Sequence, residues 1–375
     1  MTADDGRRTT DARMWAESPS SVVRRPSSRS LHIAICTAQV PFVYGGNEVL
    51  VEGLREALVS RGHSVAVIAL PYKWYPHSQI VSSALAWRLL DITEADGQEI
   101  DLAICTKWPS YVVRHPRKVV WLVHQFRQIY DWFGTPMSDF TGTPEDVRIR
   151  RTLMEMDRKA LAESKRIFTI SRNVASRLKR FNGLEGTPLY PPLRSGLNLE
   201  PGPYGDYILS VNRLDAAKRI SLLLDALANA PGARAVIAGT GPEAANLKRK
   251  AGELGMADRV EFTGFASDDD VSRLYANARA VYYAPIDEDY GYGTIEGMTA
   301  ARPIITTTDA GGVLEFVDDG QTGLVAPPDA KALGTAITRL MNDPGEAARM
   351  GSAGKARVAG IDWDGVVDAL LKGGM

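Results

Sequence analysis

Between residues 31 and 187, and again from 206 to 308, short apolar runs alternate with amphipathic helical stretches. In the first series "LHIAICTA" (31–38), "SVAVIAL" (64–70), "DLAICT" (101–106), "KVVWLVH" (118–124) and "RIFTIS" (166–171) read as buried strands. Helices are expected over 47–61, over 145–163 and up to Phe181. The second series runs "DYILSVN" (206–212), "ARAVIAG" (233–239), "RVEFTG" (259–264), "AVYYAP" (280–285) and "PIITTT" (303–308). Strands that are apolar throughout, rather than at alternate positions, belong to a sheet covered on both faces, and strand–helix alternation makes that sheet parallel. The expected class is therefore α/β, with two doubly wound parallel sheets.

Residues 188–206, "PLYPPLRSGLNLEPGPYGD", hold five prolines and three glycines and break the alternation. They read as a linker over 188–205 between a domain of 31–187 and one of 206–361. "DWDGVVDALLKG" (362–373) adds a terminal amphipathic helix, assigned to 362–375. Two sheets joined in this way face a cleft, and ligands of such sheets bind beyond the carboxyl ends of the strands.

Bulk properties narrow the class. Lys+Arg is 44 and Asp+Glu is 45, so no overall field draws the chain to nucleic acid. Residues 1–30 lack apolar periodicity and read as a disordered tail; six arginines against four acids make a poor basic patch there. No apolar run approaches the ~18 residues of a membrane span, and the N-terminus has no signal-peptide core. A soluble, cytoplasmic protein is expected. Cys36 and Cys105 lie in apolar strands and read as buried, reduced thiols.

The chemistry concentrates in "APIDEDYGYGTIEGMTAARPIITTTDAGG" (284–312). Glu288 and Glu296, with seven residues between them, flank the turn Tyr290-Gly291-Tyr292-Gly293, and a helix over 294–301 follows. Such a turn aims unpaired backbone N–H groups and the positive helix end at one point, which suits a phosphate. A carboxylate on each side can hold hydroxyls. A phosphate gripped between hydroxyl-binding groups describes a nucleotide-sugar.

Other features converge on that ligand. In "NRLDAAKR" (212–219), Arg213 and Lys218 straddle a strand exit and can neutralise a diphosphate leaving group; solvated helix charge is the plain alternative. Gly45 and Gly46 in "PFVYGGNE" precede a helix and let backbone approach a ligand, or simply make a tight turn. His124, at a strand end, opens toward the cleft or is a satisfied structural histidine. Asp287-Glu288-Asp289 has the form of a D-x-D metal site, a reading that leaves Arg213, Lys218 and Glu296 without a task. "YKWYP" (72–76) and "KWPSYVVRHPRK" (107–118) interleave cations with aromatics, for acceptor contact or peripheral membrane attachment, or as buried rings with snorkelling cations. The other histidines show no metal-ligand spacing.

Taken together, Gly45-Gly46, His124, "NRLDAAK", "EDYGYGTIE" and "GGVLE" (311–315) resemble the family-4 glycosyltransferases, retaining enzymes of the GT-B fold. The resemblance runs over residues 31–375 and is strongest from 206 to 330. It implies two Rossmann-like domains facing a cleft, with the acceptor on the first and the nucleoside-diphosphate sugar on the second. Arg213 and Lys218 would then bind the diphosphate, Glu296 the ribose hydroxyls and Glu288 the donor sugar. Tyr290, Gly291 and Tyr292 would line the phosphate and sugar through their backbone, His124 would sit near sugar and acceptor, and Gly46 would meet phosphate from the opposite domain. Neither metal nor cofactor is implied. The final helix resembles a segment that crosses back onto the first domain. Asn212 stands where the family carries Gly, and Tyr290 where it more often carries Phe.

Rival classes are a retaining glycan phosphorylase or disaccharide synthase on the same fold, and a sugar-nucleotide-binding protein without turnover. A dinucleotide oxidoreductase ranks last, because no G-x-G-x-x-G follows either first strand. The donor's base and sugar, the acceptor (glycan, lipid-linked or small molecule) and the oligomeric state are not fixed by these residues.

Overall fold

The computed structural model describes residues 29–194 and 196–375. The tail reading for residues 1–30 thus falls almost wholly outside the described residues.

The first domain comprises β1 (His32–Gln39), α1 (Gly46–Ser60), β2 (Ser64–Pro71), α2 (Ser78–Leu89) and a hairpin of β3 (Glu94–Ala95) and β4 (Gln98–Glu99). It continues through β5 (Leu102–Cys105), β6 (Lys118–Leu122), α3 (Pro144–Ala162), β7 (Arg166–Thr169), α4 (Arg172–Asn182) and β8 (Thr187–Pro188). The sheet order is β2-β1-β5-β6-β7-β8, parallel throughout.

The second domain holds β9 (Tyr207–Val211), α5 (Ile220–Ala228), β10 (Arg234–Ala238), α6 (Ala244–Glu253), β11 (Val260–Gly264) and α7 (Asp268–Asn277). It is completed by β12 (Ala280–Tyr282), α8 (Tyr292–Thr299), β13 (Ile304–Thr307), β14 (Gly323–Ala326), α9 (Ala330–Asn342) and α10 (Pro344–Val358). Its order, β11-β10-β9-β12-β13-β14, reverses direction between β9 and β12. In the first sheet the reversal lies between β1 and β5. A crevice opens at such a reversal, so the loops leaving β1, β5, β9 and β12 are where a ligand belongs.

The central strands are buried as their continuous apolar pattern requires; β5 and β6 have no exposed position. β2 departs from expectation. It is an edge strand with one side open to solvent, and Val67 is exposed. Cys36 and Cys105 are both buried, unbridged and directly opposite each other on β1 and β5. β8 and β14, which the apolar-run reading does not anticipate, extend the far edges of the two sheets.

The chain leaves the second domain through α11 (Trp363–Gly374), which packs on α1, β5 and β6 of the first. Trp363 meets Trp121 edge-to-face at 6.2 Å and donates its indole N–H to the Leu193 carbonyl (2.9 Å). A Cβ at Gly53 of α1 would lie 2.3 Å from the Trp363 ring, so the two helices touch only because position 53 has no side chain. One apolar core is continuous from the first sheet across the interface to the inner face of the second, and a separate core lies between α5, α9 and the outer face.

Candidate active site

The loop following β12 is fixed on every side before any ligand arrives. Its backbone pairs with the loops after β9 and β13: Ile286 N donates to Ala217 O (2.9 Å), Asp287 N to Asp309 O (2.9 Å) and Glu288 N to Ala310 O (3.2 Å). Gly312 N returns a bond to Glu288 O at 2.8 Å. The loop enters α8 through Gly291, which sits in the left-handed region at φ +93°. A Cβ there would lie 2.8 Å from the Tyr283 ring, so both backbone and space call for glycine. No side chain caps α8; Thr294 N–H bonds Gly291 O (3.0 Å), and the N–H groups before it in the first turn are not taken by a cap.

Lys218 and Glu288, 70 residues apart in sequence, are brought into an ion pair at the mouth of that crevice. Tyr283 joins them: its hydroxyl donates to Glu288 Oε2 (3.2 Å) and accepts from Lys218 Nζ (3.3 Å). Burial pulls the ammonium toward neutrality, but the Tyr283 oxygen and the Glu288 carboxylate outweigh it and raise its pKa above the ordinary lysine value. Lys218 therefore stays charged. Glu288 Oε1 has no protein partner among the described residues. Arg213 is exposed, and its guanidinium makes no hydrogen bond or ion pair among the described residues. A free guanidinium and a half-buried ammonium leaving the same strand end are what a diphosphate needs.

Glu296 lies one turn into α8 and accepts from the Tyr275 hydroxyl at 2.7 Å. Burial raises its pKa, opposed by that hydrogen bond and by Arg194. Tyr290 is buried among Tyr190, Tyr292 and Phe316, and its hydroxyl donates to Pro191 O (2.7 Å), so only its backbone is available to a ligand. Tyr292 differs. Its ring would lie 3.5 Å from a Cβ on Gly46, and its buried hydroxyl has no hydrogen-bond partner among the described residues. Its side chain, and not its backbone alone, thus faces the cleft.

In the first domain Gly45 N–H is already taken by Glu48 Oε2 (3.0 Å), which leaves Gly46 as the exposed glycine of the α1 N-terminus. Glu48 in turn pairs with Lys107 at 3.3 Å, at the neighbouring strand exit. His124 Nδ1–H donates to Gln125 O (2.6 Å), which fixes its tautomer and leaves Nε2 as an acceptor. Burial lowers its pKa against the pull of Asp289, so the ring is neutral near pH 7.

The Asp287-Glu288-Asp289 triplet does not present its aspartates to a metal. Asp287 Oδ2 accepts from Arg127 (2.6 Å), Asp289 Oδ1 accepts from Arg177 (2.5 Å), and Asp287 Oδ1 accepts from Asn173 (2.8 Å). Burial would raise the Asp289 carboxyl, yet Arg177 and Arg127 hold it down at about 2. Among the described residues no group of three or more His, Cys, Asp and Glu side chains is arranged to hold a metal ion. Of the aromatic segments, Trp108, Tyr111 and Lys118 are buried, so most of 107–118 is core; in 72–76, Lys73 and Tyr75 are exposed.

Glu315 of "GGVLE" accepts from the backbone N–H groups of Arg172 (2.9 Å) and Asn173 (2.8 Å), closing the N-terminus of α4 in the opposite domain. Sequence reasoning assigned it no task. Asn173 and Arg177 were missed, and Arg127, noted beside His124, was given no role; the local signal is a run of three acids that needs countercharge.

Residues 202–357, almost the whole second domain, match the family described as "Glycosyl transferases group 1". The second domain is therefore similar to the group 1 glycosyl transferases. Alpha-1,3/1,6-mannosyltransferase ALG2 of Dictyostelium discoideum is 30% identical over 210 residues, which is 50% of this chain and 49% of that protein. The chain thus spans about half the length of the curated relatives it matches. Among solved structures, a sucrose-phosphate synthase from Thermosynechococcus elongatus superposes with a TM-score of 0.70 at 21% identity, over 92% of this chain and 98% of that one. Anabaena HepE, in complex with UDP and glucose, gives 0.66 at 18% identity over 91% and 99%. These likenesses show that the chain has the two-domain GT-B fold over about nine tenths of its length.

Proposed function

We propose that the protein is a retaining glycosyltransferase that moves a hexosyl unit from a nucleoside-diphosphate sugar to a hydroxyl of a glycan, lipid-linked or small-molecule acceptor. The observation that carries this reading is the Lys218–Glu288–Tyr283 network, with the unengaged Arg213 on the same segment after β9 as Lys218, at the carboxyl-end reversal of the second sheet. Arg213 and Lys218 take the diphosphate, the α8 N-terminus takes a phosphate oxygen, and Glu296 takes the ribose diol. Glu288 Oε1 holds a sugar hydroxyl while Oε2 stays on Lys218. The pairing of UDP and glucose in HepE accords with a donor of this kind.

In the reaction, the acceptor oxygen attacks the anomeric carbon from the face on which the leaving group departs. The bond from that carbon to the phosphate oxygen breaks with its electron pair, and that oxygen collects the acceptor proton. Arg213 and Lys218 stabilise the developing negative charge, so no metal is required. Gly46 and Tyr292 approach from opposite domains and exclude water, favouring transfer over hydrolysis. Among the described residues no helix is long and apolar enough to cross a membrane.

The test is thermal stability against UDP-glucose, GDP-mannose, ADP-glucose and dTDP-glucose, with and without EDTA. A ligand at 100 times its dissociation constant adds about 2.7 kcal/mol, a readable shift in Tm. One responding nucleotide, indifferent to EDTA, supports the reading. No response from a folded protein overturns it in favour of phosphate-dependent or non-catalytic alternatives, and a strict need for divalent metal overturns its metal independence.

A further inference from the structure

The loop that carries Glu288 is gripped from the first domain by groups with no direct place in the chemistry above. Arg127 donates through one nitrogen to the Asp287 carbonyl (2.9 Å) and through another to the Asp287 carboxylate (2.6 Å). Arg177 donates to Asp289 (2.5 Å) and reaches Asp287 at 3.3 Å. Asn173 donates to both Asp287 Oδ1 (2.8 Å) and Glu288 O (2.9 Å). Both guanidiniums are tied back within their own domain to Asp131, by Arg127 Nε at 3.0 Å and Arg177 Nε at 3.5 Å. They are also nearly inaccessible, with side-chain exposures of 8% and 4%. Asp287 itself is left-handed at φ +41°, a conformation a non-glycine residue keeps only when its surroundings dictate it.

We propose that Arg127 and Arg177 are positioning residues for Glu288, so that the sugar-binding half of the donor site is set by contact with the opposite domain. The carboxylate of Glu288 and the aspartates on either side of it point to different partners: Glu288 inward to Lys218 and Tyr283, Asp287 and Asp289 outward to the arginines. Releasing the outer pair lets the loop relax at Asp287 and turns Glu288 Oε1 away from the sugar. Glu296 is held by Tyr275, Lys218 keeps Tyr283 as a second partner besides Glu288, and Arg213 depends on no bond to that loop. The clasp therefore affects recognition of the sugar and spares that of the nucleotide. This inference rests on the proposed donor site and goes beyond it by making the first domain a determinant of sugar binding.

The experiment compares wild type, Arg177→Gln, Arg177→Lys and Asp289→Asn by calorimetric binding of two probes. The probes are the sugar nucleotide that responds most in the four-member panel and the matching nucleoside diphosphate without sugar. Asp289→Asn removes the same contact from the other end and keeps the measurement open should Arg177→Gln fold poorly. The expected result is a roughly tenfold weaker Kd for the sugar nucleotide in Arg177→Gln and Asp289→Asn, with Kd for the diphosphate within about twofold of wild type. Arg177→Lys should recover part of the loss. Equal weakening of both probes, or no change in either, overturns the proposal. Wild-type protein that binds the diphosphate but gains nothing from the sugar also overturns it, whereas wild type that binds neither probe removes the donor-site reading itself and the clasp with it.

Discussion

The two strand-end loops that face each other across the cleft are built on opposite principles. The loop after β12 in the second domain is bonded to the loops after β9 and β13, enters its helix through an obligatory glycine and has Glu288 already paired. The loop after β1 in the first domain, Val40–Gly45, holds only one internal backbone bond, Val43 N to Val40 O (3.1 Å). It exposes Phe42, Val43 and Tyr44 to solvent. A pre-set loop suits a ligand that is always the same, as the phosphate, ribose and sugar of the proposed donor would be. An open loop of large exposed side chains suits a partner whose shape differs from one relative to the next. The family match, confined to 202–357, falls on the first kind of construction.

Substitutions on the two sides should differ in size and in kind. Lys218→Met should have the largest effect, lowering kcat for transfer by roughly a hundredfold or more, because it removes a preorganised cation and leaves Glu288 unpaired. A steady-state assay showing less than tenfold would break the claim that the second domain carries the charge stabilisation. Glu296→Gln should act more on the donor KM than on kcat.

pH separates the domains next. Asp157 is wholly buried in the first domain, accepting from Trp108 (3.1 Å), Tyr111 (3.1 Å) and Tyr130 (2.7 Å) with no cation beside it. Burial drives its pKa up to about 7, the three donors opposing. The folded form therefore keeps a proton that the unfolded chain gives up near pH 4. This stabilisation is full below about pH 4 and is lost as pH rises through about 7, at on the order of 1 kcal/mol per pH unit between. Chemical denaturation from pH 4.5 to 8 should show that fall, and Asp157→Asn should flatten it. An unchanged slope in the variant would place the titration elsewhere.

Gly291→Ala should cost about 2 kcal/mol and lower donor affinity, since the left-handed backbone and the Tyr283 ring both oppose a methyl group. At the small end, Phe42→Ser should leave stability within about 0.5 kcal/mol and donor KM unchanged, and alter only the acceptor KM. A loss of donor binding in Phe42→Ser would erase the contrast between the loops.

How far the sequence reveals these features follows the same division. Strand positions in both domains are legible because burial on two faces leaves a continuous apolar run; β2, open on one side, is the strand whose burial the pattern overstates. Lys218 and Glu288 are legible because glycines and spacing mark them. Arg127 and Arg177 are not, since their partners lie 160 and 112 residues away and nothing local encodes an ion pair across domains. Glu315 was visible as part of a pattern, but its task, closing the first turn of α4, depends on where another domain docks. β8 is two residues long and carries no periodicity to read.

The docking of α11 on β5 and β6 also sets an order of events during synthesis. The first domain is translated first, yet the face of its sheet that receives Val367 and Leu370 stays uncovered until nearly two hundred later residues have emerged, roughly ten to forty seconds at ordinary elongation rates. The nascent first domain therefore passes that interval with an apolar flank uncovered by its own chain. Protease cleavage of stalled nascent chains should persist in the first domain until the codons for α11 have been read.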